Sequence, residues 1–147
     1  MSRQRRVNLD QLLLRAFYWV DEGLQRNLRR RGGPVVTHSQ SMVISTIGEG
    51  IHRPSAIAER LGISRQAVHQ CLRELVSVGL VSLQDDPKDA RAKIATLKAD
   101  AKPMRKEALR ILDELEDALA QRIGPQRMQS LRDALEQEWG DPVDLEK

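Results

Sequence analysis

Apolar residues recur at helical spacing along most of this 147-residue chain, and the recurrence breaks wherever glycine and proline cluster. Leu9, Leu12, Leu13, Ala16, Phe17, Val20, Leu24 and Leu28 fall on one side of a helix running from about Asn8 to Arg30. Arg29-Arg30-Arg31 followed by Gly32-Gly33-Pro34 ends it, because cations suit a helix C-terminus, glycine permits the turn and proline blocks continuation. Phe17, Tyr18 and Trp19 are consecutive, so at least one of them faces something other than this helix's own core contact. Thr37 is placed to cap a second helix, Ser39 to about Ile47, with Met42, Val43 and Ile47 inward. Gly48-Glu49-Gly50 breaks that helix, and Ile51-His52 suggests a very short strand. Further on, Met104, Ala108, Ile111, Leu112, Leu115, Ala118, Leu119 and Ile123 predict a long helix from Ala101 to about Ile123. Its four-three alternation is a seam for helix–helix packing. Gly124-Pro125 then separates a last helix, Gln126 to about Trp139, with Met128, Leu131, Leu135 and Trp139 in line. An acidic tail, expected to be loose, follows Gly140-Asp141-Pro142.

Between these helices the pattern changes twice. Pro54 suits a first helical turn, Ile57, Ala58 and Leu61 give that short helix an apolar side, and Gly62 can end it in a left-handed conformation. Ser64 sits where an N-cap belongs, and Ala67, Val68, Cys71, Leu72 and Leu75 then repeat as one inward stripe. Arg65, Gln66, His69, Gln70 and Arg73 occupy the opposite face, a set with no acid in it. This is a helix-turn-helix whose second helix fits a DNA major groove. Leu80 to Leu83 and Lys93 to Leu97 read as two strands. The loop between them, Gln84 to Arg91, holds a turn former and several charges and should project as a wing.

The run from Pro54 to Leu97, above all Asp86-Pro87-Lys88-Asp89-Ala90-Arg91 followed by Ile94 and Leu97, resembles the winged helix-turn-helix of multiple-antibiotic-resistance (MarR-type) regulators. The Asp89-x-Arg91 pair matches the wing signature of that family. The resemblance implies a homodimeric transcription factor, a repressor released by a small ligand, whose wing arginine enters the minor groove. Two positions depart from the family pattern: Lys98 stands where a threonine usually follows the second strand, and Ala101 where a glycine does. Lys98 cannot accept a capping bond, so Asp100 is expected to cap the following helix, with Pro103 in its first turn.

Composition narrows the classes. The formal charge is +3, but residues 1–31 hold eight Lys/Arg against three Asp/Glu, 32–99 eight against six, and 100–147 eight against twelve. Basic charge is thus drawn away from the C-terminal arm, as a face that meets a polyanion would require. Ser2 to Arg6 forms a short basic leader, expected to fray, with no uncharged apolar run behind it. No stretch reaches the roughly 18 apolar residues of a membrane span, and a single cysteine suits a reducing, cytoplasmic setting. His38, His52 and His69 lack metal-ligand spacing, and no phosphate-cradling glycine loop or nucleophile arrangement appears. Neither metal, cofactor nor catalysis is expected.

The expected fold is mainly α with a small β wing. Residues 1–36 form an N-terminal dimerisation helix, 37–99 the winged helix-turn-helix and 100–147 the C-terminal dimerisation helices. Candidate DNA contacts are Ser64, Arg65, Gln66, His69, Gln70 and Arg73 on the recognition helix, with Lys88 and Arg91 on the wing. Arg65 suits guanine O6/N7, Gln66 adenine, and the Ser64 hydroxyl a phosphate. His69 reads equally as a DNA contact or a surface histidine. Asp85, Asp86 and Asp89 oppose phosphate, and an Asp89–Arg91 hydrogen bond would aim the guanidinium at a narrow groove. Leu12, Leu13, Leu115, Leu119, Leu131 and Leu135 are candidates for a dimer core. Tyr18, Trp19, His38 and Met42 are either plain core or dimer-interface residues, or the lining of a pocket for a small aromatic or phenolic effector, as family members often bind. Cys71 reads as a buried structural thiol. A rival reading is a dimeric winged-helix module that binds another protein through the same helix.

Overall fold

A computed structural model describes residues 6–145; the leader before Arg6 lies outside them. The chain divides after Leu112 into two compact units. The first unit holds α1 (Leu9–Arg30), α2 (His38–Gly48), α3 (Pro54–Leu61), α4 (Arg65–Ser77), β1 (Val81–Asp86), β2 (Asp89–Leu97), a 3-10 turn (Ala99–Ala101) and the start of α5 (Lys102–Ile123). The second holds the rest of α5 and α6 (Pro125–Glu136). The architecture is mainly α with a two-stranded antiparallel wing.

Local chemistry sets the helix boundaries of the first unit. Thr37 and Gln40 form a reciprocal capping box at α2, the Gln40 N–H donating to Thr37 Oγ1 at 3.2 Å and the Thr37 N–H to Gln40 Oε1 at 3.0 Å. Pro54 opens α3, and Gly62 closes it at φ 63°, where a side chain would be strained. Ser64 Oγ then accepts the Ala67 N–H at 3.0 Å and starts α4. Val43, Ile47, Ile57, Val68, Leu72, Leu75, Val81 and Ala95 make one core beneath α2, α3, α4 and the wing. Ala67, expected in the inward stripe, is exposed.

Several boundaries differ from the expected ones. Most of the stretch expected as a wing loop is strand: Asp85 faces Lys93 across the ladder and Asp86 faces Asp89, leaving only Pro87-Lys88 as the turn. Asp85 and Lys93 are oppositely charged and pair well across the ladder, while Arg53 answers Asp86 opposite Asp89, so charge does not mark a loop here. Ile51-His52 forms no strand, although the Ala95 N–H donates to the His52 carbonyl at 2.8 Å and His52 Nδ1 lies 2.9 Å from the Ala95 carbonyl oxygen. The chain enters α5 through the 3-10 turn, whose preceding Lys98 makes no side-chain cap, and α5 proper begins at Lys102.

In the second unit, Gly124 at φ 95° turns the chain and Pro125 opens α6. Leu115, Leu119, Ile123 and Met128 are half-buried, but α6 has no buried residue. Arg132 bridges Glu116 at 2.6 Å and Glu136 at 2.9 Å. The helix ends at Glu136, not at Trp139. Trp139 turns back so that its indole N–H donates to the Ala134 carbonyl at 2.9 Å, which satisfies an end-of-helix acceptor.

Candidate nucleic-acid interface

The winged unit turns one polar surface outward. Ser64, Arg65, Gln66, His69, Gln70 and Arg73 are all exposed on α4, over the buried stripe Val68, Cys71, Leu72 and Leu75. Ser64 spends its acceptor on the helix cap, which leaves its O–H free to donate. Arg65, Gln66 and His69 have no side-chain partner among the described residues. Gln70 and Arg73 are engaged: Arg73 Nη2 donates to Gln70 Oε1 at 2.5 Å, and Gln70 Nε2 to Glu74 Oε1 at 2.7 Å. The polar edge therefore does include an acid, Glu74, which the face pattern had left out. Hydrogen bonds from Gln70 and then Gln40 hold its carboxyl below the usual range.

Every acid of the wing is answered locally. Asp85 pairs with Lys93 at 2.5 Å. Asp86, 8% exposed, takes the Lys88 N–H at 2.9 Å and the Arg53 guanidinium at 2.6 and 2.8 Å. Those two interactions, the backbone N–H first, hold its carboxyl below the ordinary value. Asp89 Oδ1 accepts the backbone N–H of Arg91 at 3.1 Å, not its guanidinium. The carboxylate thus shapes the turn and leaves the arginine side chain outward. The ladder slips between Asp85 and Asp86, and Ala90, Arg91 and Ala92 fall in that irregularity, so Arg91 rides on the bulge at the wing tip. Lys88 and Arg91 are exposed, with no side-chain partner among the described residues. Arg53 was not singled out by sequence. Its one signal, a cation at the N-cap of α3, does not name a partner in the wing.

A second feature lies between α1, α2 and the start of α5. An apolar cavity of about 90 Å³ is lined by Leu24, Leu28, Ile44, Met104 and Ala108, with Gln25 at its wall. Gln25 is 4% exposed and its Oε1 has no hydrogen-bond partner among the described residues. Neither Tyr18, Trp19, His38 nor Met42 lines this cavity. His38 borders a separate open groove with Arg29 and Thr37. Its Nδ1 contacts the buried Asp21 carboxylate, which also accepts from Ser41 Oγ at 2.5 Å. The Tyr18 ring packs against the His38 ring with centroids 4.6 Å apart and planes tilted by 55°, and Met42 is half-buried. Cys71 is buried, and burial pushes its thiol up, so it lacks the thiolate character a sensor needs. Among the described residues no three His, Cys, Asp or Glu side chains gather where a metal ion would be held.

A capped helix-turn-helix followed by an antiparallel hairpin is the geometry of a family model described as the MarR family, which matches residues 36–92. Residues 36–92, the second helix through most of the wing, are therefore similar to a MarR-family winged helix-turn-helix. No curated protein matches its sequence. Among solved structures it is similar to the reduced form of MarR from E. coli, with 20% identity and a TM-score of 0.72 over 90% of this chain and 96% of that one. It is similar to NadR in complex with 4-hydroxyphenylacetate, with 21% identity and a TM-score of 0.68 over 92% and 94%. A third is CouR from Rhodococcus jostii RHA1 bound to p-coumaroyl-CoA, with 22% identity and a TM-score of 0.66 over 87% and 89%. These likenesses extend the shared fold beyond the winged unit to most of the chain.

Proposed function

We propose that this chain is a sequence-specific, DNA-binding transcriptional regulator that acts in the cytoplasm as a homodimeric, ligand-responsive repressor of a pseudo-palindromic operator. Residues 37–99 read the DNA, and residues 1–36 and 100–147 supply the dimer contacts. The observation that carries the reading is the charge arrangement of the wing. Asp85, Asp86 and Asp89 are each bound within the protein, while Lys88 and Arg91 stay outward. An acidic wing and a small net charge favour the rival protein-binding module, and the first of these grounds is reduced once the acids are engaged. Arg65 and Gln66 at the start of α4 would meet base edges in the major groove. Arg91 would enter the minor groove, and Lys88 and Ser64 would take phosphates.

Ligand response fits the cavity beside Gln25. An effector there would need an apolar body and a hydrogen-bond donor for the unanswered Gln25 oxygen, which a phenol supplies. At about 90 Å³ the space is smaller than the ~150 Å³ that admits a benzene ring. An aromatic effector would therefore enter only as α1 and the start of α5 separate. A ligand that favours the widened state shifts the population toward it, and DNA affinity shifts reciprocally.

Titration of duplex DNA at several salt concentrations tests the reading. Arg65→Ala should cost about 1–3 kcal/mol on a selected site and relax discrimination at one base position in each half-site. Arg91→Ala should weaken selected and scrambled duplexes together and lower the salt slope by about one per wing. Full-strength, selective binding by the double variant would refute this mode of recognition.

A further inference from the structure

Glu74 is the sink of a directed chain of hydrogen bonds. Arg73 donates to Gln70 Oε1 at 2.5 Å, and Gln70 Nε2 donates to Glu74 Oε1 at 2.7 Å. From the opposite side Gln40 Nε2, on α2, donates to Glu74 Oε2 at 2.5 Å. Gln40 is itself held, since its Oε1 accepts the Thr37 N–H at 3.0 Å in the capping box. Glu74 is the one member that accepts and cannot donate, so it dictates the orientation of both amides. An exposed glutamine ordinarily flips, exchanging donor and acceptor. Gln70 cannot do so without turning its oxygen toward a carboxylate. Held in this way it keeps one N–H and one lone pair unused, which is the complement of adenine N7 and N6.

We infer that Glu74 is a positioning residue for sequence readout: anchored to α2 through Gln40, it fixes the way Gln70 and Arg73 present themselves to base edges. The inference rests on the DNA-reading function proposed above. An ordinary Gln–Glu pair four residues apart on a helix contributes only ~0.2–0.5 kcal/mol. Glu74 differs because it is half-buried and is gripped from a second helix.

The test uses the full chain, Glu74→Gln, Gln40→Glu and the exchange of both. An amide at position 74 accepts from only one of the two glutamines, so Gln70 is free to flip. Preference for a selected site over one altered at the base pair facing Gln70 should fall about fivefold or more, the low end of a good bidentate contact. Affinity for scrambled DNA should not fall, because a negative charge has left the DNA-facing helix. Gln40→Glu keeps an acceptor for the Thr37 N–H but sets a carboxylate against Glu74, and should lose selectivity in the same way. The exchange restores the chain, since an amide at 74 accepts from Gln70 and donates to a carboxylate at 40, and should recover selectivity. A merely structural role would lower stability and all DNA affinities together, without that rescue.

A folded Glu74→Gln variant with the selectivity of the parent overturns the inference. Should that variant not fold, unchanged selectivity in Gln40→Glu does the same. Side-chain amide NMR of the free protein separates the brace from DNA reading. The Gln40 and Gln70 amide protons should exchange slowly in the parent and rapidly in Glu74→Gln, and equal exchange in both overturns the brace. Slow exchange in a parent that selects no DNA sequence instead refutes the proposed function, and the readout role falls with it.

Discussion

Leu131→Asp is the most direct probe of the proposed dimer. Leu131 is 39% exposed on α6, a helix with no buried residue. Fully burying a leucine is worth about 1.5–3 kcal/mol, so the part covered within one chain accounts for about 1–2 kcal/mol. That part is lost whatever the concentration. If a partner covers the remaining two-fifths, each copy loses about 1 kcal/mol more, and an acid placed in a covered apolar site adds at least ~2 kcal/mol. Two-fold symmetry doubles both, to about 6 kcal/mol on dimerisation, or roughly ten-thousandfold in Kd. Sedimentation equilibrium over a wide concentration range isolates the concentration-dependent part, and denaturation of the dilute variant gives the rest. Leu145→Asp, at an 86% exposed tail position, serves as the control and should change neither. An unchanged dimer constant in Leu131→Asp, or a parent chain that is monomeric throughout, would refute the reasoning.

Other outcomes follow from the same structure. Leu72→Ala, at a fully buried position on the inner face of the recognition helix, should cost about 2–5 kcal/mol in chemical denaturation with an unchanged slope. Asp21→Asn keeps the shape but places an amide donor among groups that donate to the carboxylate, and should destabilise by about 1–3 kcal/mol in the same assay. Glu74 and Asp86 are more acidic folded than unfolded, so their contribution is present above the ordinary values of 4.5 and 3.8. It disappears as pH falls through the lower folded values. Stability measured downward from pH 5 should therefore drop, and Asp86→Asn should make the drop shallower.

What could be read in the sequence is what local chemistry decides. Ser64, Thr37, Pro54 and Gly62 act within a few residues of themselves, and the elements they bound lie close to where the pattern put them. The links that shape the candidate interface are of another kind. Arg53 and Asp86 stand 33 positions apart, and Gln40 and Glu74 stand 34 apart. A charged residue in a string of polar residues looks the same whether water or a distant side chain satisfies it. The wing was therefore read as a loop of competing charges when it is a paired ladder. The first turn of α2 bears no mark in the sequence as a junction for a similar reason. His38 and Ser41 hold Asp21 of α1, while Gln40 of the same turn reaches the recognition helix.

Apolar periodicity fails in a complementary way, because it names the side of a helix that seeks cover without saying whether the chain supplies it. The stripe of α1 looks uniform from Leu9 to Leu28, yet Leu24 and Leu28 are buried while Leu9 and Leu12 are 61% and 47% exposed. The stripe of α6 has no buried member, with Leu131 and Leu135 exposed in line. Uncovered leucines at helical spacing cost roughly 25 cal/mol per Å² left in water. That cost is removed when a second copy brings the same stripe, because a two-fold axis sets each patch against a self-complementary one. Such pairing would also fix the separation of the two recognition helices, which must match one turn of DNA, about 34 Å. In the proposed dimer the uncovered half of each stripe is therefore what measures the distance between half-sites, and its loss should abolish two-site binding before it unfolds the reader.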